Sequence, residues 1–234
     1  MDLQPAAPAG RTGLFLTFEG IDGAGKTSQL AWVPARLRAL GVECIETREP
    51  GGTPAGEALR ALLLTQQMQP DTEALLAFAA RAEHVADVIR PALAAGRWVV
   101  CDRFSDATFA YQGGGRGLPV DRLAVLERWV HPGLSPDRTF LFDLPADAAA
   151  RRRAAAREAD RFEREDVDFF ERVRTAYHQR VAADPRRFLT LDAARPFEAT
   201  RSQLEREIDA LVAGWRAQPN ASAAGSIDGE ARGG

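Results

Sequence analysis

Lysine is nearly missing from this chain. Of its 234 residues, 30 are lysine or arginine, and Lys26 is the only lysine among them. Asparagine is as scarce, with Asn220 standing alone near the end. The sequence therefore has no Asn-Lys-x-Asp element of the kind GTPases use to read guanine. Cysteine is limited to Cys44 and Cys101, both in apolar, strand-like runs; one disulfide between them is an available reading, and two buried thiols of a reduced compartment is the favoured one. No run of apolar residues is long enough to span a bilayer, and the start, Met1 to Arg11, has no signal-peptide apolar core, so the expected location is cytoplasmic. The formal net charge of -3 gives no bulk attraction to nucleic acid or an anionic membrane, so any anion site has to come from local arginine clusters.

The one lysine sits at the end of Gly20-Ile21-Asp22-Gly23-Ala24-Gly25-Lys26-Thr27, which fits G-x-x-x-x-G-K-[ST]. Glycines at 20, 23 and 25 let successive backbone N–H groups converge on phosphate oxygens. Lys26 brings a point charge to the β- and γ-phosphates, and the Thr27 hydroxyl suits Mg²⁺. An accidental glycine turn would also fit the pattern. Here, however, an apolar strand, Leu14 to Glu19, runs into it and a helix opens from it, as the mechanism requires. The expectation is a nucleoside triphosphate site.

Strand and helix signals alternate along the rest of the chain. Expected strands are 14–19, 42–47, 98–101, 139–144 and 187–191. Expected helices include 26–40, 71–95 and a final one to about Trp215, and a glycine loop is expected at 113–117. The fold class that follows is α/β, a P-loop NTPase-type three-layer α/β/α arrangement with a five-stranded, mainly parallel sheet and a basic lid. Residues 1–12 read as a flexible lead, 13–216 as the domain with its lid at about 146–165, and 217–234 as a small, polar, disordered tail.

Two further features bear on chemistry. Asp102 and Arg103 follow the strand Trp98 to Cys101 directly. Ligands in open α/β sheets sit beyond the carboxyl ends of strands, so Asp102 suits a metal or its water shell and Arg103 a transferred phosphoryl group. A polar strand end that caps the next helix is the plainer alternative. Arg151, Arg152, Arg153, Arg157 and Arg161 fall in one helix and its following loop. A solvated helix face would account for such a run. A kinase that must keep water from its ATP needs a mobile basic lid, and these arginines supply one.

Several segments together resemble the thymidylate kinase family. They are FEGIDGAGKT (18–27), TREPGGTPAGEALR (47–60), TEALL (72–76), RAEHV (81–85), DRFSDATFAYQGGGRG (102–117) and DRFEREDVDFFERV (160–173). The resemblance runs from about Leu14 to Trp215 and implies phosphoryl transfer from MgATP to dTMP, giving dTDP and ADP, in a homodimer. It also implies roles by matching position. The loop residues Gly20, Ile21, Asp22, Gly23, Ala24, Gly25, Lys26 and Thr27 would bind ATP, with Thr27 and Asp102 at the metal. Asp22 would sit near the sugar 3′-hydroxyl of dTMP. Arg48 and Glu49 would close over the monophosphate, and Arg60 and Arg81 would face its phosphate and base. Arg103 would touch that phosphate, Thr108 and Gln112 would lie near the thymine edge, and Tyr111 would crowd the sugar 2′ position. Glycine rather than arginine at position 23 resembles the bacterial type that uses lid arginines, here Arg153 and Arg157, with Arg161 close behind. The catalytic set implied is thus Lys26, Arg103, Arg153 and Arg157.

One departure stands out. The aromatic that the family stacks on thymine would fall at Ala77, and Phe78 is its neighbour. On a helix, Ala77 shares a face with Arg81, while Phe78 is turned about 100° away. Either Phe78 is core, or the helix adjusts locally and Phe78 stacks on the base. Two rival functions also stay open at this point: a kinase for another nucleotide or deoxynucleoside, and a regulatory domain that holds ATP without an acceptor.

Overall fold

A computed structural model describes residues 12–154 and 161–218. The expected lead before residue 12, the tail from 219 on, and Arg157 in the lid lie outside the described residues. Five strands, β1 (Phe15–Glu19), β2 (Cys44–Arg48), β3 (Trp98–Asp102), β4 (Arg138–Asp143) and β5 (Phe188–Asp192), form one sheet in the order β2-β3-β1-β4-β5. Every pairing is parallel.

The central strands are buried on both faces, and their side chains divide by the period of two that a pleated strand imposes. Leu16, Phe18, Trp98 and Val100 point into one apolar cluster, shared with Phe140 and Phe142 of β4 and with Ile208 and Trp215 of the last helix. Phe15, Val99 and Cys101 point the other way, into a cluster closed by Val85, Ile89 and Phe104. Helices on both faces make the three layers. Both cysteines are free thiols. Among the described residues, no helix is long and apolar enough to cross a membrane.

Three expectations about helices need correction. The helix expected over 26–40 is two helices, α1 (Lys26–Leu30) and α2 (Val33–Ala39). Pro34 sits in the first turn of α2, where its missing N–H costs nothing but where an unbroken helix would have needed that donor. The helix expected over 71–95 is α4 (Pro70–His84), a π-helical turn (Val85–Ile89) and α5 (Arg90–Ala94), with Pro91 again in a first turn. It follows α3 (Pro54–Thr65), which Thr53 caps by accepting a hydrogen bond from the Gly56 N–H.

The third correction concerns the expected glycine loop. After the short helix α6 (Ser105–Thr108), residues Phe109–Gly115 form a wide π-helical stretch that leads to α7 (Val120–Val130). Its glycines serve contact rather than turning. A Cβ on Gly114 would lie 2.6 Å from the Ala176 Cβ, and one on Gly115 would lie 2.5 Å from the Phe169 ring. Both neighbours belong to α9 (Val167–Ala183), so the glycines let that helix press against the stretch. The chain also contains α8 (Ala146–Ala154), where the lid is expected to begin, and α10 (Phe197–Ala217).

Candidate functional site

The β1–β3 pairing sets Phe18 level with Asp102, so the loop after β1 and the polar end of β3 open side by side at the same edge of the sheet. In this strand order, the chain leaving β1 runs toward β2 and the chain leaving β3 runs toward β4, so a crevice opens between them. A cleft of about 630 Å³ occupies it. Its lining includes Asp22, Lys26, Thr27, Arg48, Glu49, Arg60, Arg81, Asp102, Arg103, Thr108, Tyr111 and Gln112. Residues as distant in sequence as Asp22 and Gln112 thus share one cavity.

The donor wall is the glycine loop. Gly20, Gly23 and Gly25 all have positive φ, at 132°, 88° and 85°. At Gly20 a side chain is also excluded by space, because a Cβ would lie 2.4 Å from the Phe142 carbonyl of β4. The Lys26 ammonium is buried and donates to the Gly20 carbonyl at 2.9 Å and the Ile21 carbonyl at 3.2 Å. Burial, with the positive charge of Arg103, holds Lys26 below the usual ammonium value. Thr27 is exposed at the mouth of the cleft. The Asp102 Oδ1 atom is buried without a hydrogen-bond partner, an acceptor that awaits a cation, its water or a donor. From α8, Arg152 lines the cleft. Arg153 lies in α8, but its side chain is outside the described residues.

Arg103 links the two walls. It has φ 68°, in the left-handed region, and it is the only non-glycine residue with positive φ among the described residues. That backbone costs about 1–2 kcal/mol and turns the side chain back across the loop. One Nη2 donates to Asp22 Oδ1 at 2.7 Å and to the Tyr111 hydroxyl at 3.1 Å, while Nη1 donates to the Tyr177 hydroxyl at 3.2 Å. Tyr111 donates to the other Asp22 oxygen at 2.8 Å. Burial alone would raise the Asp22 pKa, but the charges of Arg103 and Lys26 and the Tyr111 hydrogen bond hold it well below the usual carboxylate range. Behind this group Tyr177 donates to Glu19 Oε2 at 2.8 Å, and Glu19 Oε1 accepts from the Phe104 N–H at 2.7 Å. Burial, with the Asp106 charge nearby, pushes the Glu19 carboxyl up to about 8.

The acceptor wall is made of side chains. Arg48, Arg60 and Arg103 line it together. Arg60 donates to the Pro50 carbonyl at 2.9 Å, yet burial and the Arg48 charge pull its pKa below the usual guanidinium value. A guanidinium depressed by burial and by a second guanidinium marks a local excess of positive charge, which an anion would relieve. Arg81 is almost fully buried, donating from Nε to Glu49 Oε2 at 2.7 Å and from Nη2 to the Thr108 hydroxyl at 2.9 Å. Gln112 donates to Glu73 Oε1 at 2.7 Å. Ala77 lines the cleft, whereas Phe78 is buried with Ala74, Phe109 and Leu123. Phe78 is therefore core, and its ring supports the Arg81 guanidinium at 4.7 Å.

Four contributors were not singled out in the sequence. Glu73 also accepts from Arg161 at 2.7 Å, so that lid arginine is tied to the acceptor side and its Nε donates to the Leu63 carbonyl. Phe162 lines the cleft and meets the Tyr111 ring edge-on at 5.8 Å. Glu19 and Tyr177 complete the set. Glu73, Ala77, Arg81 and His84 follow a spacing of four, four and three, so they share one face of α4, and that periodicity was the available signal for Glu73.

A family model described as thymidylate kinase matches residues 18–204. The chain is 58% identical over 201 residues to the thymidylate kinase of Bordetella pertussis, covering 86% of this chain and 97% of that one. It is 59% identical over 199 residues to that of Cupriavidus metallidurans, covering 85% and 99%. This chain belongs to the thymidylate kinase family. The thymidylate kinase of Burkholderia cenocepacia is similar too, at 57% identity over 204 residues, covering 86% and 99%. A match of this length takes in both walls of the cleft, α8 with the arginine-rich segment after it, and α9.

Proposed function

We propose that the cleft holds ATP at the glycine loop and dTMP against the arginine wall, and passes the γ-phosphoryl group to the dTMP phosphate. Phosphorylation of dTMP to dTDP, a step of dTTP synthesis, is the activity of the thymidylate kinase family to which the chain belongs. The observation that carries the residue-level reading is Arg103, which is bonded to Asp22 of the donor loop while lining the acceptor wall.

Phosphoryl transfer of this kind depends mainly on position and charge neutralisation. Lys26 would exchange the Gly20 and Ile21 carbonyls for β- and γ-phosphate oxygens. Gly20 to Thr27 would supply the backbone donors for the remaining phosphate oxygens. Arg103 would aim the acceptor phosphate in line, with Arg48 and Arg60 holding its other oxygens. Arg81, Thr108 and Gln112 would face the base, and Tyr111 the sugar. Lid arginines, with Arg152 already at the cleft and Arg153 and Arg157 beside it in sequence, would close over the transferring group and exclude water. No general base is needed, because the attacking phosphate oxygen is ionised. The orphaned Asp102 Oδ1 and the Thr27 hydroxyl fit Mg²⁺, which is held by few protein oxygens and keeps several waters. When bound, Mg²⁺ would draw charge from the β- and γ-phosphate oxygens.

A homodimer in the cytoplasm is part of the same proposal. Leu62, Leu75, Val125 and Trp129, on α3, α4 and α7, are exposed apolar side chains, Trp129 to 77%. They offer a face for a second copy of this chain. Steady-state ADP release with dTMP, dUMP, dCMP, dGMP and thymidine tests the function. Turnover should be fastest with dTMP, and turnover faster with thymidine, or none that depends on an acceptor, would overturn the reading.

A further inference from the structure

A buried polar chain runs behind the acceptor wall. The Thr47 hydroxyl, at the end of β2, lies 2.6 Å from His84 Nε2. His84 Nδ1 lies 2.9 Å from Glu49 Oε1, and Glu49 Oε2 accepts from Arg81 Nε at 2.7 Å. His84 is fully buried and Glu49 nearly so. An ionised carboxylate only accepts, so Nδ1 carries a proton, and in the neutral imidazole Nε2 accepts from Thr47. Burial opposes the Glu49 charge, yet Arg81 and His84 hold its pKa below the ordinary value.

The chain has one open end. Arg81 spends Nε on Glu49 and Nη2 on Thr108, and its buried Nη1 has no partner. Arg81 lines the cleft, and its guanidinium lies between the rings of Phe78 at 4.7 Å and Phe104 at 5.1 Å. A guanidinium so fixed on two nitrogens presents the third in one direction. The loop after β2 is shaped around the same chain. Gly52 has φ 82°, and a Cβ there would lie 2.6 Å from His84 Cδ2 and 2.8 Å from the Thr47 hydroxyl.

We propose that His84 is a positioning residue for the acceptor: with Thr47 it orients Glu49, which fixes Arg81 so that the free Nη1 meets a carbonyl oxygen of the pyrimidine base. The proposal rests on the reading of Arg81 as an acceptor-site residue. Glu49 then acts through Arg81 and not by touching the monophosphate. His84 and Thr47 act on acceptor affinity although neither lines the cleft.

The test is steady-state kinetics with dTMP and ATP on His84→Ala, His84→Asn, Arg81→Ala and the His84→Ala/Arg81→Ala double variant, each checked by thermal melting. Losing one buried, charge-linked hydrogen bond should raise the KM for dTMP by roughly tenfold in His84→Ala. The KM for ATP and kcat at saturating dTMP should stay within about threefold. Asparagine places an amide N–H near the Nδ1 position, so His84→Asn should recover most of the loss. In the Arg81→Ala background, the His84 change should have no further effect on KM. Additive losses in the double variant, or equal losses in both KM values, would assign His84 a merely structural part and overturn the proposal. If Arg81→Ala itself leaves the KM for dTMP unchanged, it is the reading of Arg81 that falls. Should His84→Ala fail to fold, Thr47→Val removes only the hydroxyl on Nε2; a rise of about threefold confined to the KM for dTMP supports the chain, and no rise refutes it.

Discussion

In the proposed reading, the two walls of the cleft would bind phosphate by opposite constructions. The donor wall uses eight consecutive residues, Gly20 to Thr27, and its recognition surface is mostly backbone bent by glycines that have positive φ. The acceptor wall gathers Arg48, Arg60, Arg81, Arg103 and Gln112 from five places in the chain, and its surface is side-chain nitrogen fixed by other side chains or, at Arg60, by a backbone carbonyl. A backbone cradle is rigid once its glycines are in place, so it needs little support behind it. A guanidinium on a long stem must be immobilised, and each acceptor arginine accordingly has its own partner: Glu57 for Arg48, Pro50 for Arg60, Glu49 for Arg81 and Asp22 for Arg103. On this comparison, substitutions in the donor wall should affect chemistry, and those in the acceptor wall should affect affinity for dTMP.

The largest effect is expected at Lys26, the single side-chain cation of the donor loop. Lys26→Ala should lower kcat by a factor on the order of 10²–10³, about 3–4 kcal/mol of transition-state stabilisation, with the melting temperature little changed. Lys26→Arg should not recover it, because a planar fork cannot replace a compact ammonium among the loop carbonyls. Recovery by arginine would break the comparison, since general positive charge would then suffice. Arg103→Ala comes next, at about 2–3 kcal/mol in kcat/KM for dTMP. Because this residue joins the walls, it should lower kcat and raise the KM for dTMP together, while equilibrium binding of ATP stays within about threefold. A change in the KM for dTMP alone would place Arg103 wholly on the acceptor side.

Glu19, behind both walls, gives a smaller effect with a distinctive pH dependence. Its carboxyl titrates near 8 in the folded protein against 4.5 in an open chain. A raised carboxyl favours the fold fully below the unfolded value and loses that contribution as pH climbs toward the folded one. The groups around it are Asp106, which raises its value, and Arg103 and Tyr177, which lower it. Glutamine resembles the protonated acid, so Glu19→Gln should gain stability relative to the parent between pH 6 and pH 8, by about 2 kcal/mol. Denaturant unfolding of both proteins at the two pH values checks this. A constant difference between them would mean that Glu19 is ionised throughout.

The same contrast explains what could be read from the sequence. The donor loop is contiguous, so its residues announce themselves by spacing, and the alternation of apolar strands with helices around it carries the sheet. Of the acceptor arginines, Arg103 was legible from its place at a strand end, but Arg48, Arg60 and Arg81 only through resemblance, because no local pattern ties them to a phosphate. Their supporting residues were harder still. Tyr177 lies on the buried face of α9 among Phe169, Phe170 and Val173, and by pattern alone it is one more core aromatic. Gly113 to Gly115 read as a turn because glycine permits one. What Gly114 and Gly115 serve is contact with α9, and a single sequence carries no mark of the helix that presses on them. Pro34 and Pro91 were visible, yet the apolar periodicity around them outweighed the irregularities beside them, a two-residue turn at Ala31 and Trp32 and a π-helical turn over Val85–Ile89.

The smallest effect expected is at Phe78, and it sharpens the account of how the acceptor wall would grip a base without the usual aromatic. Phe78 is 1% exposed, packed with Ala74, Phe109 and Leu123, and touches the site only through the Arg81 guanidinium above its ring. Phe78→Leu keeps an apolar side chain of similar reach and removes the ring face. Repacking should cost about 1 kcal/mol of stability, and the lost cation–π contact about 0.5–1 kcal/mol, part of which falls on the orientation of Arg81. The KM for dTMP should then rise only about twofold to threefold, and equally for dUMP, since a core ring senses neither base directly. A tenfold rise with an unchanged melting temperature would show instead that the ring stacks on the base in the bound state, with α4 shifting to bring it there. The acceptor wall would then hold its ligand by a surface that forms on binding, and the contrast with the preformed donor loop would be one of timing as well as of construction.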